Sequence, residues 1–312
     1  MNKDWIIYGL ILFFGALLVM GPGRDWYDDW RDRRRARSDG TGWRADHDRR
    51  NPPGPPITDA EIAAIKAWFP AHALPAAELM PEPGAPVRAD GCRLGGPAWI
   101  ADGAEWPGDA EGQPMDFVAQ VDFAELPPLD GFPAKGVLQF FLPCEDIMGA
   151  DFDEPTHSAI RLIWHAEGLP AGRLVDSPPP PEPMGPLHDR TRARGVMLVP
   201  AAALHEPPIG DYSTRGLLDG LWNRPNIKTV EDWYFGSDRR EPIVHHVGGY
   251  PSFTQSDFRE DGHYDDYDRT LLRLTSDDHI MWGDVGEAVF LIRAADLAAR
   301  DFSRVAFSWD CH

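Results

Sequence analysis

Gly95-Gly96-Pro97, Val118-Ala-Gln-Val-Asp122 and Gly136-Val-Leu-Gln-Phe-Phe-Leu142 return later in the chain. Their counterparts are Gly248-Gly249-Tyr-Pro251, Leu271-Leu-Arg-Leu-Thr275 and Gly286-Glu-Ala-Val-Phe-Leu-Ile292. The first two blocks recur at an offset of 153 residues and the third at 150. Three ordered blocks at nearly one spacing indicate an internal duplication. Each block joins a glycine turn to a short run rich in β-branched, aromatic or other apolar residues, the pattern of strands bounded by turns. The duplication predicts two half-domains related by an approximate twofold axis, with Gly96 and Gly249 in equivalent turns. Gln120 and Arg273 then occupy matching strand positions. A buried Arg273 requires a carboxylate, and Asp277, Asp278 and Asp284 are nearest in sequence.

Working outward, further strands are expected at Ile160–Trp164, Arg194–Val199 and Val305–Trp309. The Pro-rich runs Pro178–Pro186 and Glu206–Pro208 read as loops. Thr58-Asp-Ala-Glu61 fits a capping box before the apolar positions Ile62, Ile65 and Phe69, so one amphipathic helix is expected to end near Pro70. Shorter helices are expected within Asp211–Trp222 and Ala294–Ala299. The elements therefore read as α+β, short strands in two duplicated half-domains with an N-terminal helix, and the family resemblance given below implies that the sheets are mainly antiparallel. Proline at 31 of 312 residues excludes a helical bundle.

A separate transmembrane helix is expected before this body. Trp5–Gly21 carries no charge and as a helix spans about 26 Å, close to a bilayer core. Lys3 precedes it, whereas Arg24, Arg31, Arg33, Arg34, Arg35 and Arg37 follow, which keeps the basic side and the body in the cytoplasm and the N-terminus outside. No A-x-A site follows the apolar run, which disfavours an exported, signal-cleaved protein. Residues 24–56, with nine arginines, seven aspartates and a closing Pro-Pro-Gly-Pro-Pro, read as a linker. The organisation is thus an anchor at 1–23, a linker at 24–56 and a folded domain at 57–312.

The formal charge is −20, and the first 56 residues carry 10 basic and 8 acidic side chains, so the whole deficit lies in the body. Such a surface argues against nucleic acid as a partner. Three cysteines exclude a disulfide scaffold. No GxSxG, HExxH, P-loop, GxGxxG or CxxC is present, so no cofactor is expected. Cys311-His312 and His245-His246 are adjacent pairs whose side chains diverge in a strand. The acidic groups around Asp257–Asp268 lack EF-hand spacing, so no metal site is expected. The remaining candidate binding residues lie on turns and strands of the duplicated blocks: Trp99, Gln120, Gln255, Asp257, Trp282 and Asp284.

Arg93-Leu-Gly-Gly-Pro-Ala-Trp99, Phe117-Val-Ala-Gln-Val-Asp122, Val247-Gly-Gly-Tyr-Pro251, Thr254-Gln-Ser-Asp257, Ser276-Asp-Asp278, Met281-Trp-Gly-Asp284, Phe290-Leu-Ile292 and Phe307-Ser-Trp-Asp-Cys-His312 together resemble the DUF1963, or YwqG-like, family over about residues 57–312. The resemblance implies a mixed α+β fold dominated by antiparallel sheets and no established activity. Some members sit among toxin and immunity genes, which implies protein binding. In place of the glutamine common in relatives, this chain has Arg273. The expected function is a membrane-anchored module that binds a protein or ligand, immunity-type included. The enzymatic alternative is an Asp/His hydrolase with a cleft between the half-domains.

Overall fold

The computed structural model describes residues 54–179, 185–218, 220–222, 224–236 and 244–312. The expected anchor lies outside these residues. Among the described residues no helix is long and apolar enough to cross a membrane. The chain divides into two compact units. The described part of the first is 54–59 with 220–222 and 224–229, in which the Ile57 amide donates to the Pro225 carbonyl at 2.9 Å. The second, 60–218 with 230–236 and 244–312, holds the sheet.

The elements in chain order are α1 (Asp59–Ala71), β1 (Leu74–Glu82), β2 (Arg93–Leu94), β3 (Ala98–Ala101), β4 (Asp116–Asp122), β5 (Val137–Leu142), β6 (Arg161–His165) and β7 (Gly172–Val175). After these come α2 (Asp189–Arg194), β8 (Val196–His205), α3 (Arg215–Leu218), α4 (Ile227–Gly236), β9 (His245–Gly248), β10 (Arg269–Thr275), β11 (Glu287–Ile292), α5 (Ala294–Ala299) and β12 (Ala306–Asp310). Helix α1 buries Ile62, Ile65 and Phe69, the face its apolar spacing selects, and carries Pro70 in its last turn.

Ten strands form one sheet in the order β12-β11-β10-β9-β1-β8-β2-β4-β5-β6, and every ladder in it is antiparallel. The order reads the same from both ends when β2, β4, β5 and β6 are exchanged for β9, β10, β11 and β12. The register repeats as well: Arg93 faces Gln120, and His246 faces Arg273, each 153 residues on. A ladder irregularity between Phe117 and Ala119 recurs between Thr270 and Leu272, at the same offset. Gln120 and Arg273 therefore occupy matching places, as duplication requires. The leading strands cross over: β1 pairs with β9 of the second half, β8 pairs with β2 of the first, and the two pair with each other at the centre.

Strands β4, β5, β10 and β11 are buried on both faces almost throughout, which is why they read as nearly continuous apolar runs. The sheet curls so that the inner faces of both halves meet in one core. There Phe140 of β5 and its counterpart Phe290 of β11 lie 4.9 Å apart, ring edge to ring face. The halves thus share a core at their junction, where a cleft was expected. The outer face of the first half is covered by the β3–β7 ribbon, whose Ala98, Ile100 and Val175 pack on Phe117 and Phe141. The outer face of the second half is covered by Phe253, Phe258, Tyr264 and Tyr267.

Candidate functional site

Between the leading strands and these outer layers, each half carries a row of buried polar side chains. In the first half the row runs Arg93, Gln120, Gln139, one residue on each of three adjacent strands. Gln120 Nε2 donates to the carbonyls of Ala89 (3.0 Å) and Gly91 (2.9 Å). Gln139 Nε2 donates to Gln120 Oε1 and to the Trp99 carbonyl, both at 3.3 Å, while its Oε1 lies 3.1 Å from His165 Nε2. Arg93 Nη1 donates to the Gly95 carbonyl at 2.7 Å, and the guanidinium lies over the Phe117 ring, 4.6 Å from its centre.

In the second half the places of Arg93 and Gln120 are taken by His246 and Arg273, while Val289 stands where Gln139 would. His246 Nδ1 donates to the Gly248 carbonyl at 2.9 Å, the counterpart of the Arg93–Gly95 bond 153 residues earlier. Arg273 is buried and pairs through Nε with Glu287, which also accepts from Ser252 Oγ at 3.1 Å. Its partner is therefore Glu287 and not Asp277, Asp278 or Asp284. Antiparallel pairing sets Arg273 opposite Val289 and so brings Glu287, two residues away on the same face, alongside it. The His205 ring meets His246 edge-on at 4.6 Å, and His205 Nε2 lies 3.1 Å from Glu78 Oε1. Burial lowers the affinity of both histidines for a proton, and the Arg273 charge lowers it further; His246 falls well below the ordinary range.

Two open clefts flank these rows at corresponding places. The first, about 780 Å³, is lined by Trp99, Asp90, Asp102, Asp122, Val137 and Pro170 among others. The Trp99 indole N–H is held by the Pro170 carbonyl at 3.1 Å. Burial raises the Asp122 carboxyl above its ordinary range. The second, about 430 Å³, is lined by Phe152, Gln255, Ser256, Phe258, Trp309 and Asp310 among others. The Gln255–Ser256 segment corresponds to Asp102, and Asp310 corresponds to His165, for Val137 pairs with His165 as Glu287 pairs with Asp310. Asp310 accepts from the Thr254 and Gln255 amides at 3.0 and 2.7 Å, and burial raises it too.

The sequence candidates fall in separate surroundings. Trp99 lines the first cleft, and Gln120 lies in the buried row next to it. Gln255 lines the second cleft and donates through Nε2 to the Cys311 carbonyl at 2.6 Å. Asp257 is buried in an ion cluster with Arg259 and Asp211, where it caps a one-turn helix by accepting from the Arg259 amide. Trp282 is wholly buried in the core against Phe307 and Trp309. Asp284 is exposed, and its carbonyl accepts from the His312 amide. Arg93, Gln139, His205, His246 and Glu287 escaped the sequence reading, although Arg93 and His246 stand two residues before the repeated Gly-Gly turns. All three cysteines are free. Burial pushes the Cys144 thiol up to about 12, the opposite of an activated nucleophile. Among the described residues no group of three His, Cys, Asp or Glu is placed to hold a metal ion.

The family model described as "Domain of unknown function (DUF1963)" matches residues 92–311, and the chain belongs to that family. The match takes in both polar rows, the core aromatic pair, the second cleft and all of the first cleft but Ala89 and Asp90. No curated protein matches the chain.

Proposed function

We propose that this member of the DUF1963 family is a membrane-tethered cytoplasmic module that works by binding a protein partner. The carrying observation is the Trp99 cleft: a half-buried aromatic side chain in a broad opening rimmed by Asp90, Asp102 and Asp122. Aromatic anchors in such clefts supply binding energy, and carboxylates at the rim select the partner's charge. With a formal charge of −20, the fitting partner presents a basic segment. An immunity-type role, in which capture itself silences the partner, belongs to this reading. Apart from one edge of Arg93, the polar groups of both rows bond to one another or to backbone, which leaves the binding reading ahead of a hydrolase. The tether rests on the uncharged run 5–21 and the arginines that follow it, and the same count favours the N-terminus outside over an exported body.

The test uses the full chain, solubilised from membranes in detergent, beside a Trp99→Ser variant shown to be folded at the assay temperature. A basic partner retained by the first and lost by the second is the expected result. Identical retention by both would remove the cleft from the interface. For the tether, the body should resist protease added to intact spheroplasts; cleavage from outside would reverse the orientation.

A further inference from the structure

We propose that Arg93 is a receptor for one carboxylate group, carried on a small molecule that reaches the outer face of the first half beneath the β3–β7 ribbon. The proposal goes beyond partner capture and rests on a different residue.

Arg93 is fully buried, and among the described residues its Nε and Nη2 donors have no hydrogen-bond acceptor. These two N–H groups form one edge of the guanidinium, the parallel fork that matches the two oxygens of a carboxylate. The protein turns the same edge onto a carboxylate twice elsewhere, on a single oxygen of Asp116 and on both oxygens of Asp257. Arg192 donates from Nε and Nη2 to Asp116 at 3.0 and 2.6 Å. Arg259 donates from Nε and Nη2 to Asp257, its closest contact being 2.6 Å. In Arg93 the opposite edge is pinned, Nη1 to the Gly95 carbonyl, and one face lies on Phe117. The fork is therefore fixed in direction before anything binds it, which lowers the entropy lost on binding.

The surroundings supply no counter-charge. Gln120 and Gln139, the next residues in the row, are uncharged carboxamides, and burial alone brings the Arg93 guanidinium down to about 10. The second half shows the alternative solution: its buried Arg273 carries Glu287 from the neighbouring strand. The first-half counterpart of Glu287 is Val137, so no carboxylate comes from the chain at that place. A singly charged planar group neutralises one guanidinium; a phosphate dianion would bring a second buried charge at further desolvation cost. Access follows from the cover. The β3–β7 ribbon pairs only four residues with four and rests on Phe117 and Phe141 through Ala98, Ile100 and Val175. The ribbon is held by this packing and four paired residues, and its lifting from Phe117 and Phe141 is the route that the proposal requires.

The experiment is a titration of the full chain in detergent micelles with sodium acetate and sodium benzoate, against sodium chloride and sodium phosphate at equal ionic strength. The observable is the Arg93 Nε–H signal in arginine-selective nitrogen spectra, which needs no variant. A saturable shift with the two carboxylates and none with chloride is expected. Arg93→Lys keeps the charge but loses the fork, and should bind acetate about tenfold more weakly when both proteins are titrated by calorimetry. An unmoved Nε–H signal, an equal response to chloride, tighter binding of phosphate, or unchanged affinity in Arg93→Lys would each overturn the proposal. None of these outcomes bears on partner capture, which the Trp99 variant reads separately.

Discussion

Arg273 in the second half and Arg93 in the first are both buried arginines in the same polar row, one strand apart in equivalent terms, but only one has a counter-ion. Arg273 lies against Glu287 and sits within a charged network that takes in His246, His205 and Glu78. Arg93 sits among carboxamides and an aromatic face, with its Nε–Nη2 edge unused among the described residues. Duplication has preserved the strands, register and glycine turns, while the chemistry of the rows has diverged. The backbone is the shared solution, and the charge on its outer face is free to differ, because each half buries that face under its own cover.

The sharpest way to break this comparison is to remove each arginine. Arg273→Met leaves the Glu287 carboxylate buried and unpaired, and should destabilise the protein by about 3–5 kcal/mol in chemical denaturation. Arg93→Met removes a charge that has no partner and should cost under about 1 kcal/mol, or stabilise the fold. Similar large losses from both would mean that Arg93 is neutralised within the chain.

Acid should separate the halves next. His205 and His246 bind protons more weakly when folded than when unfolded, since burial and Arg273 oppose their charge. The unfolded chain therefore takes up more protons as pH falls below about 6.5, and stability must fall with it. The slope is at most about 1.4 kcal/mol per pH unit for each histidine. In the first half, burial lowers the half-buried His165. His246→Gln should flatten the loss between pH 6.5 and 5 more than His165→Gln does; an equal effect would deny the second half its special sensitivity.

The sequence made the second strand set legible through the first. Strands β4, β5, β10 and β11 announced themselves because burial on both faces demands unbroken apolar runs. Strand β1 did not: Leu-Pro-Ala-Ala-Glu-Leu-Met-Pro-Glu is poor in strand formers, yet it pairs on both sides at the centre of the sheet. Its conformation is imposed by β8 and β9, a tertiary effect that local preference does not contain. Strand β8 likewise continues through Pro200-Ala-Ala-Ala203, past the end of its readable portion. The helix expected over Asp211–Trp222 is a one-turn 3₁₀ segment at Tyr212–Thr214 followed by the four residues of α3. At the site, the need of Arg273 for a carboxylate was legible but its identity was not, since Asp277 and Asp278 are close in sequence and Glu287 is close only through register. Trp282 shows the reverse error: a turn-flanking tryptophan looked available for binding, whereas the fold uses it as core.

The last contrast concerns the two clefts, where the smaller effect falls on Trp99. Trp309 lines the second cleft, but it also packs on the core, donates its indole N–H to the Ile147 carbonyl at 2.9 Å and meets Phe152 edge to face. Trp99 lines the first cleft with a single indole hydrogen bond to Pro170. Truncating Trp309 should therefore cost about 3 kcal/mol, the range for a large side chain removed from packed surroundings. Trp99→Ser should cost only about 1 kcal/mol, close to the net value of one hydrogen bond. The two melting temperatures check this directly. The comparison also predicts function: Trp99→Ser should abolish partner capture without loss of fold, whereas Trp309→Ser should reduce capture only as far as it reduces the folded fraction. Capture lost in proportion to stability in both variants would leave Trp99 as packing alone and move the interface elsewhere.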